Sequence, residues 1–461
     1  MPRESLNVPK MKRRKFIRSM VASTPMLWAP FARADPRNVL RIGAIGVGGK
    51  GRSDLDQLAR HGRLVAACDV NVRKLNHALK SYPEAREYND YRKMISDWAG
   101  QMDAISISTP DHTHAHAIQL ALKAGMNVFV QTPMTHTVWE AREMRILAKQ
   151  TGAVTQVGLQ GCAQNEFREG VEFLQSGKIG EIAEIHVWTN RPVWPQGPII
   201  TSRPDGTLSP NGLNWDAFLG PAPFRKYDPC YQPYNWRGWR DFGTGALGDA
   251  GIHLLNLPAM GCGLKTPSKV KCLLDAPFHK ETYPGWGKVR FDFPLGSSGK
   301  TMPLYWYEGR VGHLSRERNG EPNLPPRGLF KGKVPSAQGC IIVGSKGIFY
   351  SASAFGTTWE VHLGNGWKSS KEIILPRSSL RRNGRGDSGM KEEFVQGMQI
   401  NQSTLPLANF QYAGSLTEWA LLGNVAMAVG GEFDWDDEQF STGRTDANSF
   451  LRKSYRNGWE I

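Results

Sequence analysis

A glycine-rich loop that directly follows a short apolar strand constrains this chain more than any other feature. The predicted strand Val39–Ile45 leads into Gly46-Val47-Gly48-Gly49-Lys50-Gly51, and a predicted helix, Arg52–Arg60, follows. In such a loop the first glycine permits a tight turn, the second lets the backbone approach a pyrophosphate, and the third lets the helix pack on the strand. The helix N-terminus then points at the phosphates. We therefore predict a dinucleotide site formed by Gly46, Gly48, Gly49, Lys50 and Gly51.

A second predicted strand, Leu64–Cys68, ends at an acidic residue, Asp69. This residue follows the loop by about 20 positions, where a carboxylate binds the ribose hydroxyls of a dinucleotide. Its charge would repel a 2′-phosphate, which favours NAD over NADP. The nearby Arg73 leaves NADP open.

Strands and helices continue to alternate as far as Val157. The apolar segments Asp103–Ser108, Asn127–Val130 and Val154–Val157 predict further strands, and helical segments separate them. This rhythm predicts a doubly wound parallel sheet, in which ligands bind at the carboxyl ends of the strands. We expect the residues that follow the strands to face the cofactor crevice: Thr109, Pro110, His114, Gln131, Thr132 and Pro133.

The N-terminal segment resembles a twin-arginine signal peptide. Paired arginines, Arg13 and Arg14, precede the apolar stretch Met20–Phe31, and the small-x-small pattern Ala32-Arg33-Ala34 follows. Residues 1–34 are therefore predicted to be a signal for export to the periplasm. Because that compartment offers no nicotinamide pool, an exported enzyme must hold its cofactor tightly and restore it within each cycle.

Composition excludes several other classes of protein. The net charge is +15, but eight basic residues against one acidic residue lie before Asp35, which leaves +8 for the remainder. That mild excess does not predict a nucleic-acid partner. The sequence contains no run of 18 apolar residues, so no membrane span is predicted. The six cysteines include no CxxC pair, so no metal site is predicted, and a disulfide is left open.

Several motifs together resemble the glucose–fructose oxidoreductase, inositol dehydrogenase and MocA (Gfo/Idh/MocA) family. They are the Gly46–Gly51 loop, Thr109-Pro110-Asp111-His112-Thr113-His114, Pro133 with its flanks, and Gly245-Ala246-Leu247-Gly248-Asp249-Ala250-Gly251-Ile252-His253. The resemblance implies an α/β fold, with a Rossmann domain (35–157) and a C-terminal α/β domain (158–461) built on an open, largely antiparallel sheet. It further implies oxidation or reduction of a secondary alcohol on a sugar or cyclitol. The outer face of the sheet often pairs subunits in this family, so a homo-oligomer, a dimer or tetramer, is expected.

One departure from the family pattern concerns proton transfer. The family carries Glu-Lys-Pro, whose lysine assists proton transfer at the reacting hydroxyl, whereas this chain has Gln131-Thr132-Pro133. Thr132 carries no charge and does not inherit the lysine's role. Some NAD-dependent glycosidases of the family also lack that lysine.

The predicted catalytic pair is His253 with Asp249, at i and i+4 on one helix face. His253 would act as acid or base, because an imidazole titrates near neutral pH. Asp249 would orient its ring. A histidine that merely packs within a buried helix is the alternative.

The segment from Asn190 to Phe242 is long for a connection, and its many Trp residues argue against disorder. Aromatic rings in such a loop suit stacking on a sugar, although tryptophan also fills large cores. Arginines would bind hydroxyls or a carboxylate. The predicted substrate-binding residues are Arg191, Trp194, Trp236 and Arg237.

Three functions remain open at this point. The first is an exported NAD(P)-dependent oxidoreductase that acts on a small carbohydrate. The second is a glycosidase that oxidises a ring hydroxyl, eliminates the leaving group, adds water and reduces the ketone again, with no net redox change. The third is a non-catalytic sugar-binding protein.

Overall fold

The structure is a computed structural model that describes residues 39–200, 202–274, 279–296, 299–312, 320–375 and 380–461. The predicted signal peptide, residues 1–34, lies outside the described residues. All six cysteines lie within them, and each is free. No helix in the described ranges is both long and apolar enough to cross a membrane.

The first unit is a parallel six-stranded sheet in the order β3-β2-β1-β4-β5-β6, among the described residues. Its strands are β1 Leu40–Ile45, β2 Gly62–Cys68, β3 Arg86–Tyr88, β4 Ala104–Ile107, β5 Asn127–Val130 and β6 Thr155–Val157. Its helices are α1 Lys50–Leu58, α2 Val72–Leu79, α3 Tyr91–Asp97, α4 His114–Lys123 and α5 Val138–Thr151. The strand order reverses between β1 and β4, which opens a crevice at the carboxyl ends of these strands. The predicted doubly wound sheet is confirmed.

The second unit is a ten-stranded sheet, counted over the described ranges. Its strands are β7 Ile182–Thr189, β8 Lys269–Leu274, β9 Trp286–Pro294, β10 Thr301–Val311, β11 Glu321–Pro322, β12 Gln338–Gly344, β13 Gly347–Ser351, β14 Glu360–His362, β15 Trp367–Ser369 and β16 Glu432–Asp434. They run in the order β15-β14-β13-β12-β7-β10-β9-β8-β16, and β11 pairs with β10. The β7–β10 pair is parallel and the other pairs are antiparallel. The prediction of a largely antiparallel C-terminal sheet is confirmed.

Helices of the second half of the chain pack on both sheets. They are α6 Asn165–Gln175, α7 Trp215–Leu219, α8 Ile252–Gly261, α9 Gly386–Gln399, α10 Phe410–Val429 and α11 Thr445–Asn448. The long helix α10 is apolar around most of its circumference. It can therefore pack on α5 of the first unit and on strands β8 and β9 of the second. Helix α9 likewise contacts α1 beside the glycine-rich loop. The two units therefore share one continuous core.

The segment from Asn190 to Phe242, which we call the Trp-rich segment, packs around its own aromatic cluster between β7 and α8. Tyr231, Trp239 and Phe242 surround the buried guanidinium of Arg225, and Trp215 donates its indole N–H to the carbonyl oxygen of Arg225 at 2.7 Å. The same segment contacts the connection that leads from β2 into α2. The backbone N–H of Val72 donates to the carbonyl oxygen of Gly212, and that of Asn214 donates to the carbonyl oxygen of Val70, each at 2.8 Å. It thus forms a wall opposite the carboxyl ends of β1 and β2.

Candidate active site

A cavity of about 800 Å³ lies at the carboxyl ends of β1, β2, β4 and β5, between the two units. Most of the residues predicted from the sequence line it. These are Gly46, Gly48, Gly49, Lys50, Asp69, Thr109, Pro110, Gln131, Thr132, Arg191, Trp236, Arg237, Asp249 and His253. Their roles in binding or catalysis remain predictions. The predicted cofactor-binding residues and the predicted catalytic and substrate-binding residues therefore line the same cavity.

The backbone of the glycine-rich loop fits a bound pyrophosphate. Gly46 has a φ of 76°, and a Cβ there would lie 2.5 Å from the carbonyl oxygen of Ser108. A Cβ on Gly51 would lie 1.8 Å from the carbonyl oxygen of Gly46, so Gly51 serves helix packing and does not line the cavity. Gly49, with nothing within 4 Å of its Cβ position, borders open space. Gly46 and Gly51 thus match the tasks of the first and third motif glycines, while a Cβ on Gly48, the second, would lie 2.5 Å from the side chain of Lys74.

Asp69, which the sequence predicts to bind ribose, lines the cavity at the carboxyl end of β2. Its two carboxylate oxygens accept hydrogen bonds from the backbone N–H groups of Val47 (3.0 Å) and Asn71 (2.8 Å). Each oxygen keeps a further lone pair, and burial raises the pKa of the carboxyl. Lys74 lines the cavity near this residue, whereas Arg73 does not. Lys74, and not Arg73, is therefore the cation that lies beside Asp69 in the cavity.

Lys50 belongs to a group of charges that joins α1 to α9, which we call the α1–α9 charge cluster, and Gln131 contacts this cluster. It contains Lys50, Asp54, Asp387 and Lys391. The Lys391 ammonium lies 2.7 Å from Asp54 and 2.6 Å from Asp387, and Lys50 lies 2.8 Å from Asp387 and also contacts Asp54. Gln131 donates to the other oxygen of Asp54 at 2.7 Å. Lys50 is consequently neutralised by protein carboxylates, and the wall residue Gln131 is held by the cluster.

The imidazole of His253 meets the hydroxyl of Thr132 across the cavity wall. Nε2 of His253 lies 3.0 Å from Oγ1 of Thr132, and the buried Nδ1 has no hydrogen-bond partner among the described residues. Burial lowers the pKa of His253 to about 4, an effect that the charge of Asp249 opposes. The ring is therefore neutral near pH 7 and able to accept a proton.

Asp249 takes partners other than the predicted one. It accepts a 2.7 Å hydrogen bond from Nε of Arg237 and lies 3.5 Å from a terminal nitrogen of Arg191, and it makes no hydrogen bond to His253. The backbone from Leu247 to Gly251 is a π-helical turn, with i→i+5 spacing in place of i→i+4. This turn removes the shared face that α-helical spacing predicts for positions 249 and 253. Asp249 acts on the imidazole through its charge alone.

Three further predicted residues lie outside the cavity lining. His114 is fully buried at the start of α4, and its ring nitrogens lie 2.9 Å from the carbonyl oxygens of Pro133 and Thr109. The carbonyl oxygen of Pro133 is thus paired with His114, outside the lining of the cavity. Trp194 is 4% exposed and donates its indole N–H to Gln196 at 2.7 Å. We therefore correct the expectations that His114 and Pro133 face the crevice and that Trp194 offers a platform for a sugar.

The structure also brings unpredicted residues to the cavity. Asp111 is buried there, accepts a 2.6 Å hydrogen bond from Thr244, and has its pKa raised to about 7, chiefly by burial. It lies within the Thr109–His114 motif, which was a usable signal. Phe355 packs edge-on against His253 at 5.2 Å, and nothing in its sequence context marks it. Tyr234 contacts Arg191 and lines the cavity as well.

The described residues contain no group of three or more His, Cys, Asp or Glu side chains that could hold a metal ion. The donors that converge on the cavity are instead backbone amides, guanidiniums and hydroxyls. They suit a dinucleotide and a polar organic substrate.

Comparison with known proteins agrees with this geometry. Residues 40–159 match the model of an oxidoreductase family described as having an NAD-binding Rossmann fold, and residues 202–299 match that family's C-terminal α/β domain. Inositol 2-dehydrogenase of Salmonella typhimurium is 27% identical over 152 residues, which cover 32% of this chain and 45% of that protein. A 1-carboxy-3-chloro-3,4-dihydroxycyclohexa-1,5-diene dehydrogenase of Comamonas testosteroni is 28% identical over 149 residues, covering 32% of this chain and 37% of that protein. The matches thus span less than half the length of these curated relatives.

Solved structures share the fold across both units. Aldose-aldose oxidoreductase of Caulobacter crescentus superposes with a TM-score of 0.57 at 16% identity, covering 86% of this chain and 100% of that one. Levoglucosan dehydrogenase in complex with NADH and levoglucosan superposes with a TM-score of 0.55 at 16% identity, covering 86% and 99%. Given the two family models, the chain belongs to the Gfo/Idh/MocA oxidoreductase family, with an NAD-binding Rossmann domain followed by the family's C-terminal α/β domain.

Proposed function

We propose that this protein is an exported oxidoreductase that transfers hydride at a secondary hydroxyl of a sugar or cyclitol, with a tightly held nicotinamide cofactor. The observation that carries the proposal is the neutral imidazole of His253 beside Thr132, in the same cavity as the glycine-rich loop. Relatives named for inositol, aldose and levoglucosan oxidation support the substrate class. Residues Gly46–Gly51 and Asp69 would hold the cofactor's pyrophosphate and ribose.

Thr132 and His253 together replace the lysine that the family uses. When bound, the nicotinamide supplies the hydride acceptor. Thr132 is unable to hold a net proton, but its hydroxyl can pass one: it accepts from the substrate O–H while donating its own proton to Nε2 of His253, 3.0 Å away. Asp249 then stabilises the imidazolium through its charge. This relay requires the imidazole to be neutral before the reaction, which its lowered pKa provides.

Tight retention of the cofactor is supported by the Trp-rich segment. The backbone N–H of Val72 donates to Gly212, and that of Asn214 donates to Val70, each at 2.8 Å. Ala217 and Phe218 line the cavity beyond this contact. The segment would therefore cover the end of the dinucleotide that Asp69 binds, so release would require these contacts to separate.

The first experiment is to denature the purified protein in acid and measure released NAD. We expect roughly one equivalent per chain, and a protein that releases none and binds none on addition contradicts the proposal. Sugars and cyclitols are then screened for NADH formation. The variant Thr132→Ala should lower kcat by about 10- to 100-fold and Thr132→Ser should restore it, both with cofactor content unchanged. Full activity in Thr132→Ala would exclude the relay.

A second candidate, the NAD-dependent glycosidase, is favoured by threonine in place of the family lysine at position 132. In that reaction the sugar is oxidised, loses its leaving group, gains water and is reduced again, so no NADH accumulates. Nitrophenyl glycosides discriminate the two candidates. Release of nitrophenol without net NADH supports the glycosidase, whereas NADH formation from free sugars supports the dehydrogenase. Sugar binding with neither reaction would leave the non-catalytic binding protein.

A further inference from the structure

Two arginines from separate parts of the Trp-rich segment meet at the end of the cavity that holds His253. Arg191 follows β7, and Arg237 lies in a short helical turn, Asn235–Gly238. Both line the cavity, with side chains 34% and 24% exposed. Arg191 is close enough to His253 for its charge to lower the pKa of that imidazole. The pair therefore lies beside the predicted reacting group.

Arg237 is held rigidly. Its guanidinium lies 4.4 Å from the ring centroids of both Tyr234 and Trp236, and its Nε donates to Asp249. One terminal nitrogen donates to the carbonyl oxygen of Tyr234 at 3.2 Å. The other terminal nitrogen has no partner among the described residues. A guanidinium that is oriented in this way offers donors in a set direction at little entropic cost.

Arg191 shares the same carboxylate. Its terminal nitrogen lies 3.5 Å from Asp249 and 3.3 Å from the hydroxyl of Tyr234. Its Nε and its second terminal nitrogen have no partner among the described residues. Both oxygens of Asp249 are thus engaged by arginines, and each arginine keeps N–H donors without a partner among the described residues.

The charges at this end of the cavity do not balance. Two guanidiniums face one carboxylate, that of Asp249. His253 is neutral near pH 7, and Asp111 carries a proton below about pH 7, because burial raises its pKa. Lys50 contributes no free charge, since Asp54 and Asp387 pair with it. While Asp111 is protonated, about one positive charge remains uncompensated in a partly buried space, where charges are normally paired, and this excess falls as Asp111 ionises around pH 7.

We propose that the substrate carries a carboxylate, as in a uronic or aldonic acid, and that this group binds between Arg191 and Arg237. Arg191 and Arg237 present N–H donors side by side, and the carboxylate between them, that of Asp249, is already paired with both, which suits a planar anionic group better than a neutral hydroxyl. One excess charge matches a carboxylate monoanion better than a phosphate dianion. The inference rests on the proposed function and names its substrate class.

The test measures binding of D-glucuronate, D-gluconate, D-glucose and D-glucose 6-phosphate to the NAD-loaded protein by calorimetry. We expect glucuronate or gluconate to bind at least 10-fold more tightly than glucose and more tightly than the phosphate. Arg191→Gln should weaken binding of the acid about 10- to 100-fold and leave glucose binding within about 2-fold. Arg203→Gln, an exposed arginine of the same segment that does not line the cavity, is the matched control and should change neither.

A second variant increases the positive charge and so tests the same point in the opposite direction. Asp249→Asn adds one more uncompensated positive charge and should tighten binding of the acid relative to binding of glucose. Equal affinities for acid and neutral sugar, tighter binding of the phosphate, no binding of any of the four, or no effect of Arg191→Gln would each overturn the inference. Cofactor release and NADH formation from neutral sugars are measured separately, so they show whether the oxidoreductase proposal stands when the carboxylate proposal fails.

Discussion

The α1–α9 charge cluster makes a sharp prediction about stability. Lys391 and Asp54 are each fully buried, and the ammonium contacts Asp54 and Asp387 at 2.7 and 2.6 Å. Lys391→Met keeps an aliphatic side chain but removes the charged ammonium, which lies 4.7 Å from the ring centroid of Phe129. The cluster then holds two carboxylates against one ammonium, that of Lys50. Removal of one partner from a buried ion pair costs about 3–5 kcal/mol.

We expect the low end of that range, about 3 kcal/mol, because Lys50 still contacts both carboxylates. The measurement is urea denaturation at pH 7, followed by tryptophan fluorescence. Asp387→Asn in the Lys391→Met background restores the charge balance and should recover more than 1 kcal/mol of the loss. Lys149→Met, at an exposed lysine on α5, is the control and should stay within about 0.5 kcal/mol of the parent. A loss below about 1 kcal/mol for Lys391→Met would refute this account of the cluster.

Three pH-dependent predictions follow from other titrating groups. Because the pKa of His253 is lowered to about 4, kcat/KM for alcohol oxidation should stay level down to about pH 5 and fall through about pH 4. Asp249→Asn should move that fall to lower pH, because the charge of Asp249 raises the pKa of the imidazole. A fall centred near pH 6.5 would contradict this prediction. The charges of Lys391 and Lys50 outweigh burial and lower the pKa of Asp387 to about 2. The ionised Asp387 therefore contributes fully to the free energy of unfolding above its ordinary pKa of 3.8, and this contribution is lost as pH falls through about 2. Asp387→Asn should make the free energy of unfolding less dependent on pH in the acid range. Burial raises the pKa of Glu308 to about 8, so the native state loses stability as pH rises from the ordinary value of 4.5 towards 8, and Glu308→Gln should be more stable than the parent at pH 9 in urea denaturation.

The nucleotide half of the site was readable because its residues are close in sequence. A strand, three glycines, a helix and an acid at the next strand end all follow one another between positions 40 and 69. Local backbone geometry dictates which residue types fit there, as the Cβ positions of Gly46 and Gly51 demonstrate. Residues after β4 and β5 were predicted at the cavity for the same reason. His114 failed this expectation because its ring bonds to nearby backbone carbonyls.

The substrate half was readable only in its residue types. Trp194 and Trp236 lie in the same Trp-rich segment, yet the first is buried and the second lines the cavity. Composition does not separate the two, because burial depends on how the segment folds on itself. The spacing of Asp249 and His253 suggested contact, and a π-helical turn changed the partner of Asp249 to Arg237.

By itself, the sequence determined the family, the two-unit α/β fold and the dinucleotide loop, since each depends on patterns that extend over a few tens of consecutive residues. It also disclosed that threonine stands where the family has lysine. Only the tertiary structure decided what accompanies that threonine. Thr132 and His253 are 121 residues apart and meet because β5 and α8 reach the same cavity, and Lys391 lies under Asp54 because α9 packs on α1. Side-chain partners at such distances are chosen by packing, which no local pattern encodes.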